Sequence, residues 1–111
     1  MRWLTVLLGL SLASAAWAEV DVPRDAACLL VVDGAEVIRG TCKFTPIDRD
    51  GSFTISGLNG KYFAYVLVGR PGRAEGFWNG TAYAGKAHYP LGDLYREDAC
   101  WVNDRASVCA W

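Results

Sequence analysis

The chain has 111 residues, and its 11 basic side chains nearly balance its 12 acidic ones, for a net charge of −1. Hydrophobic residues make up 52% of it, and this length corresponds to one small domain. The two signs of charge are interleaved, so the chain lacks the basic stripe or polybasic segment that nucleic acid or anionic lipid requires. We therefore expect no nucleic-acid partner.

The first eighteen residues have the layout of a cleaved secretory signal. Arg2 supplies a positive start, residues 3–16 form an uncharged run, and small residues stand at Ala16 and Ala18. The run is shorter than the ~20 residues of a membrane-spanning helix, although an uncleaved anchor is the alternative. We predict cleavage after Ala18, a periplasmic or secreted protein, and no stable membrane anchor after cleavage. Removal of Arg2 changes the net charge from −1 to −2.

After the leader, residues 19–27 are polar and predict a loose lead-in, and residues 28–111 predict a single β domain. Short apolar runs alternate with two-residue turn signals, which favour hairpins because both residues tolerate positive φ. The turn signals are Asp33-Gly34, Asp50-Gly51, Asn59-Gly60 and Asn79-Gly80. The predicted strands are residues 29–32, 35–38, 43–47, 52–56, 61–68, 74–78, 91–96 and the two arms of 99–111.

No segment after the leader shows a sustained helical period. The chain is therefore predicted to be all-β, a small antiparallel β-sandwich or barrel built from hairpins. Residues 61–68 give the strongest strand signal and are apolar on both faces toward their end, which predicts a central strand. The predicted core residues are Phe53, Phe63, Val66, Val68, Trp78, Trp101 and Val108.

Four cysteines in a short exported chain indicate a disulfide framework. Four cysteines allow three pairings, and local geometry favours one of them. A turn about residues 104–105 sets Cys100 opposite Cys109, within disulfide reach on neighbouring strands. The same register sets Trp101 opposite Val108.

The other favoured bridge joins Cys28 to Cys42 across the hairpin that turns at residues 33–34. Simple pairing about that turn would set Cys28 opposite Arg39, so a bend at Gly40 is needed to bring Cys42 into reach. Zinc or redox chemistry is the competing interpretation, but the chain contains no Cys-x-x-Cys motif. We expect no metal site formed by the cysteines.

The residues that could support catalysis are few, and we predict that the protein is not an enzyme. His88 is the only histidine, and no serine lies in a nucleophile-elbow pattern. Residues 48–52, DRDGS, have some character of a calcium loop, but the spacing of an EF-hand fails and a turn is preferred. We expect no cofactor and no metal.

An aromatic region in the least regular part of the chain is the candidate binding site. Rigid rings beside amide groups suit sugar or protein partners, because each ring offers a large apolar area with a polar tip nearby. The alternative is that Trp78 and several tyrosines belong to the core. The candidate binding residues are Trp78, Asn79, Tyr83, His88 and Tyr89.

Two resemblances follow from these segments. Residues 48–62, DRDGSFTISGLNGKY, resemble the DxDGSFTISGLxxGxY hairpin of carboxypeptidase-regulatory-like β-sandwiches, over that hairpin only. Most of the mature chain resembles a family of small exported bacterial proteins of unknown activity. The residues that carry this second resemblance are YFAYV (62–66), GFWNG (76–80), His88, LGDL (91–94), ACWVN (99–103) and VCAW (108–111). It implies export and a disulfide-linked C-terminal hairpin.

The leading functional hypothesis is a small exported, non-enzymatic binding module with a protein or glycan partner in the cell envelope. One version is an inhibitor of a lysozyme-type hydrolase, by analogy with other small disulfide-linked β domains. The alternatives are a structural or stress-protective envelope protein without a dedicated site, and a cell-wall glycan-binding module.

Overall fold

The computed structural model describes residues 19–111, and the predicted leader, residues 1–18, lies outside the described residues. Eight antiparallel strands follow one another in sequence order, and the last pairs with the first to close a barrel. The strands are β1 (Arg24–Val32), β2 (Ala35–Pro46), β3 (Phe53–Gly57), β4 (Phe63–Arg70), β5 (Arg73–Trp78), β6 (Tyr89–Glu97), β7 (Cys100–Val102) and β8 (Ala106–Ala110). The all-β prediction is confirmed for these residues, and of the two architectures left open the barrel is the one observed.

The first strand begins earlier than the sequence predicts. We assign residues 19–27 to a loose lead-in, but β1 starts at Arg24, and residues 24–27 pair with residues 41–44 of β2. Asp25 lies opposite Lys43, and their side chains form an ion pair. This stretch has no apolar run to mark it as a strand, and its pairing is supported by opposite charges across the ladder.

The barrel interior is filled mainly by side chains from alternate strand positions, as the two-residue period of β-structure requires. An exception is β6, where an irregularity in the ladder places the buried residues Leu91 and Leu94 three positions apart. Of the predicted core residues, four are buried, namely Phe53, Val66, Trp101 and Val108. Two more, Val68 and Trp78, are partly buried and pack against this core.

Residue 76 has to be glycine for close packing of the interior. A Cβ at Gly76 would lie 2.6 Å from Cδ1 of Leu94 and 3.1 Å from Cβ of Leu91. The missing side chain therefore lets β5 pass close to two fully buried leucines of β6.

Phe63 is not part of the core, so that prediction is wrong. Along β4, Ala64 and Val66 point into the barrel and are fully buried. The alternate residues Phe63, Tyr65 and Leu67 therefore point to the outside of the barrel. The predicted central strand is also wrong, because each strand of a closed barrel has one face toward the core and one toward the exterior.

Both favoured disulfides are present, and all four cysteines are bonded. Cys100 pairs directly with Cys109, with Cα atoms 4.0 Å apart, and Trp101 pairs with Val108. The predicted register of this hairpin is therefore confirmed.

The bridge between Cys28 and Cys42 is reached through a bulge that the sequence analysis did not predict. An irregularity after Leu30 shifts the β1–β2 ladder by one residue, so that Cys28 lies opposite Gly40. Gly40, where the sequence analysis places a bend, has a φ of 109°, but the ladder continues through it without a further shift. The Cα atoms of the two cysteines are 5.8 Å apart.

A bidentate ion pair joins two turns at one end of the barrel. Arg105, in the β7–β8 turn, donates from Nε and Nη2 to the two carboxylate oxygens of Asp33, at 3.1 and 3.3 Å. The same guanidinium donates from Nη1 to the carbonyl of Pro90. These bonds tie the β1–β2 turn to its neighbour across the closure of the barrel.

This pair predicts a pH response. The hydrogen bond from the Arg105 guanidinium, with its positive charge, lowers the pKa of Asp33 below the ordinary 3.8. A depressed carboxyl pKa gives stability that is present above the unfolded-state pKa and is lost as the pH falls through the folded-state pKa. We expect carbon-detected NMR to show Asp33 titrating below 3.8, and Arg105→Gln to return it to the ordinary range. Arg39→Gln, which removes a different ion pair, should leave Asp33 unchanged; an unshifted Asp33 in the native chain contradicts the prediction.

Candidate functional site

The connection between β5 and β6, residues 79–88, is the longest in the part of the chain that the structure describes, and Asn79 organises it. Its Nδ2 donates to the carbonyls of Lys61, Thr81 and Ala84 at 2.9 to 3.1 Å, and its Oδ1 accepts from the backbone N–H of Phe63 at 3.2 Å. The side chain is fully buried. Its amide is therefore occupied inside the protein and does not face a partner.

The other four predicted binding residues lie around the same end of the barrel. Trp78 is partly buried, packs against the core and lies 5.9 Å from the ring of Tyr62. Tyr89 is its cross-strand partner and is 52% exposed. His88 is exposed, and Tyr83, in a left-handed conformation, is 67% exposed.

Some of these residues have a packing role. The ladder brings Trp78 beside Tyr89, and the ring of Tyr89 covers Gly80, where any Cβ would overlap it. The backbone N–H of Tyr83 donates to the carbonyl of Lys61, which also accepts from Asn79. The side chains of Tyr83, His88 and Tyr89 remain exposed.

A more continuous apolar surface lies on the exterior of the neighbouring strands, and we call it the outer face. It consists of Phe63, Tyr65 and Leu67 on β4 and Phe77 on β5. Tyr65 and Phe77 are cross-strand partners, and the rings of Phe63 and Tyr65 meet edge to face at 5.9 Å. Tyr65 and Leu67 remain 37% and 39% exposed.

The outer face borders a groove of about 440 Å³, whose opposite wall is formed by residues 85–87. Among residues 19–111, the polar side-chain groups that line it are the hydroxyl of Tyr65 and the ammonium of Lys86. The rest of the lining is apolar, which is the usual composition of a binding groove. The Asn79 hydrogen bonds hold the wall of this groove in place.

The sequence does contain a signal for this surface. Residues 63–68 are apolar at both alternating positions, which the sequence analysis interprets as burial on both faces. In a closed barrel no second sheet packs on the exterior face, and residues 85–87 cover it only in part, so Tyr65 and Leu67 stay exposed. The signal therefore marks an exposed apolar patch, of the type that forms interaction sites.

Charged side chains flank the outer face at the tip of the β4–β5 hairpin. A second cavity of about 350 Å³ begins at Leu67 and is bordered by Arg70, Arg73, Glu75 and Asp93. The guanidinium of Arg73 lies 4.6 Å from the ring centroid of Tyr95. The side chain of Arg70 has no hydrogen bond or ion pair with any other residue in the range 19–111.

The segment with the character of a calcium loop is a turn, as the sequence analysis prefers. Oδ1 of Asp48 accepts hydrogen bonds from the backbone N–H groups of Asp50 and Ser52 at 2.9 and 3.2 Å. Buried Ser52 in turn accepts from the N–H of Val68 at 2.8 Å, which fixes the turn against β4. In residues 19–111 no three His, Cys, Asp or Glu side chains form a group that could hold a metal ion.

Within the same residues no helix is long and apolar enough to cross a membrane. No family model matches the chain, and neither a curated protein nor a solved structure shows a significant match to it.

Proposed function

We propose that the protein is a non-enzymatic binding module of the cell envelope that docks a protein partner on its outer face. The observation that carries the proposal is an exposed aromatic and aliphatic surface on a barrel whose own interior is already filled. A rigid, closed sheet that presents such a patch binds at little cost in conformational entropy. The two disulfides agree with an oxidising compartment outside the cytoplasm.

The composition of the groove favours a protein over a glycan. A sugar requires hydrogen-bond partners for its hydroxyl groups, and the lining offers only one side-chain hydroxyl and one ammonium. An apolar side chain of a protein needs none. An apolar centre with charged residues at its border, here Arg70, Arg73 and Glu75, is also the usual anatomy of a protein interface.

Among protein partners we propose a lysozyme-type glycan hydrolase. Such enzymes have two carboxyl groups on either side of a cleft. The β4–β5 hairpin turns tightly at residues 71–72 and carries Arg70 and Arg73 at its tip, next to exposed Leu67. Glu75 and Asp93 border the same cavity further from the turn, so it is the tip, with Arg70 and Arg73, whose shape and charge complement an acidic cleft.

The test compares two matched apolar-to-acid variants. Leu67→Asp places a charge on the outer face, whereas Leu58→Asp places one on the β3–β4 turn, which precedes the opposite end of β4 and where the side chain is 59% exposed. Chain beginning at Glu19 is added in excess to a lysozyme-type hydrolase degrading purified peptidoglycan. We expect inhibition by the native chain and by Leu58→Asp, and at least tenfold weaker inhibition by Leu67→Asp, the fold-change that corresponds to about 1.4 kcal/mol.

Absence of inhibition at high molar excess rejects the hydrolase partner. Capture of envelope proteins that is equal for both variants rejects the outer face as the docking surface. Binding of soluble peptidoglycan fragments that is lost in Tyr83→Ala or Tyr89→Ala, with folding retained, instead supports the glycan-binding alternative. A structural role without a dedicated site predicts neither inhibition nor capture.

A further inference from the structure

The opposite end of the barrel from the Asp33–Arg105 pair contains a second feature, which we call the barrel mouth. It is a cavity of about 280 Å³ where β1 and β7 begin and β2, β6 and β8 end. Phe53 and Trp101, both 5% exposed, form its floor, and Arg24 and Arg96 line its opening. None of the residues that line this cavity is acidic.

Both arginines lie over aromatic rings. The guanidinium carbon of Arg24 is 4.4 Å from the ring centroid of Phe44, and that of Arg96 is 5.7 Å from the ring centroid of Trp101. Cation–π contact of this kind holds a guanidinium in a fixed position while leaving its in-plane N–H groups available. Arg96 uses one of these, Nε, to donate to the carbonyl of Asp98 at 2.7 Å.

Neither arginine has a carboxylate partner within residues 19–111. An adjoining cavity of about 480 Å³ shares Arg96 and Trp101 with the first and adds Arg70 and Asp50 to the border. Three guanidinium groups thus face one carboxylate across these two cavities, in a chain whose overall net charge is negative. The local charge is opposite in sign to that of the protein as a whole.

We propose that the barrel mouth binds a small organic oxyanion, a carboxylate or a phosphate monoester attached to a flat apolar body. The oxyanion would accept hydrogen bonds from Arg24 and Arg96, since guanidinium groups recognise carboxylate and phosphate through paired N–H donors. The apolar body would pack against the part of the lining rings that faces the cavity, chiefly the half-buried Phe44, above the nearly buried Phe53 and Trp101. A volume of 280 Å³ is close to the ~300 Å³ lower limit of small-molecule sites, which suits a ligand of one ring and not a polymer.

This proposal can be tested apart from the docking function, because the two arginines that would bind the oxyanion, Arg24 and Arg96, belong neither to the outer face nor to the β4–β5 hairpin tip that carries Arg70 and Arg73. Leu67→Asp should leave the barrel mouth unaffected, and loss of the arginines at the mouth should leave partner docking on the outer face unaffected. The two proposals can therefore fail separately.

The experiment follows the Arg Nε–H and Trp indole N–H signals of ¹⁵N-labelled chain starting at Glu19 during titration with three probes: benzoate, phenyl phosphate and inorganic phosphate. We expect shifts of the Arg96 and Trp101 signals with benzoate and phenyl phosphate, and at least tenfold weaker binding of inorganic phosphate, which lacks the apolar body. Arg24→Gln and Arg96→Gln should each weaken binding of the first two probes about tenfold or more. The ratio of benzoate to phenyl phosphate affinity shows whether the ligand anion is a carboxylate or a phosphate.

Arg73→Gln is the matched control, because Arg73 also stacks on a ring but lies outside the barrel mouth. Its affinity for the probes should remain within about twofold of the native chain. If Arg24→Gln, Arg96→Gln and Arg73→Gln all weakened probe binding equally, the binding would be due to general charge attraction, and the proposal would be overturned. Absence of shifts at Trp101 with every probe, or equal binding of inorganic phosphate and phenyl phosphate, would also overturn it.

Discussion

Asn79→Ala will lower the free energy of unfolding by about 3 kcal/mol, because it removes a fully buried amide that makes four hydrogen bonds. The truncated side chain leaves the N–H of Phe63 and the carbonyl of Ala84 without the partner that the Asn79 amide supplies. A buried donor or acceptor that loses its partner costs ~1–3 kcal/mol, and relaxation of the loop toward water recovers part of the total. Urea denaturation followed by tryptophan fluorescence measures the change directly.

Asn59→Ala is the control for this prediction. Asn59 is also an asparagine next to a glycine in a turn, but it is exposed, and its side-chain oxygen accepts one hydrogen bond, from the N–H of Lys61 at 3.0 Å. We expect Asn59→Ala to lower the free energy of unfolding by less than about 1 kcal/mol. Similar losses for the two variants would mean that burial of the Asn79 amide does not determine its contribution.

The substitution Asn79→Ala should also affect the outer face. Residues 85–87 form one wall of the groove, and they belong to the connection that the Asn79 amide holds. Even under conditions where Asn79→Ala remains folded, that wall is no longer fixed against β4. Asn79 thus acts on the proposed docking surface indirectly, as a positioning residue, although sequence analysis selects it as a contact residue.

Local features of the fold could be predicted from the sequence because their causes are local. The turn at residues 104–105 determines which residues of its hairpin face each other, and this fixes the Cys100–Cys109 bridge. The Asp-Gly turn at residues 33–34 likewise identifies the hairpin that contains Cys28 and Cys42. The bulge after Leu30 was beyond prediction, since a one-residue shift in one strand leaves no signal in composition or period.

Which face of a strand is covered could not be predicted, because it depends on distant parts of the chain. The alternation in β4 shows two apolar faces, and only the pairing of β1 with β8 decides that one of them stays outside. The sequence pattern therefore predicts Phe63 in the core, although it lies on the exterior. The same ladder decides that Trp78 packs inward while its neighbour Phe77 borders the groove.

The barrel mouth could not be found from the sequence for a related reason. Arg24 and Arg96 lie far apart in the chain, and each belongs to a segment of mixed charge, which is typical of solvent-exposed surface. Closure of the barrel brings the start of β1 next to the end of β8 and the β6–β7 turn. Only then do two arginines share one cavity without an acidic residue among its lining.

Reduction of both disulfides will lower the free energy of unfolding by about 5 kcal/mol, the largest effect that we predict. The bridges close loops with sequence separations of 14 and 9, and in the chain-entropy model loops of this length contribute about 3 kcal/mol each at most. The net stability of a small domain is only ~5–15 kcal/mol. Since each 1 kcal/mol shifts the melting temperature of a domain this size by ~4–8 °C, we expect a decrease of at least about 20 °C, measured by circular dichroism with and without reductant.

Two paired variants separate the bridges, and a third controls for the reductant. Cys28→Ser with Cys42→Ser, and Cys100→Ser with Cys109→Ser, should each cause roughly half of the decrease, with the larger share from the longer loop. A chain in which all four cysteines are replaced should no longer respond to reductant. A reduced native chain that melts within a few degrees of the oxidised one would contradict the prediction. It would also mean that the packed interior alone is sufficient to hold the fold.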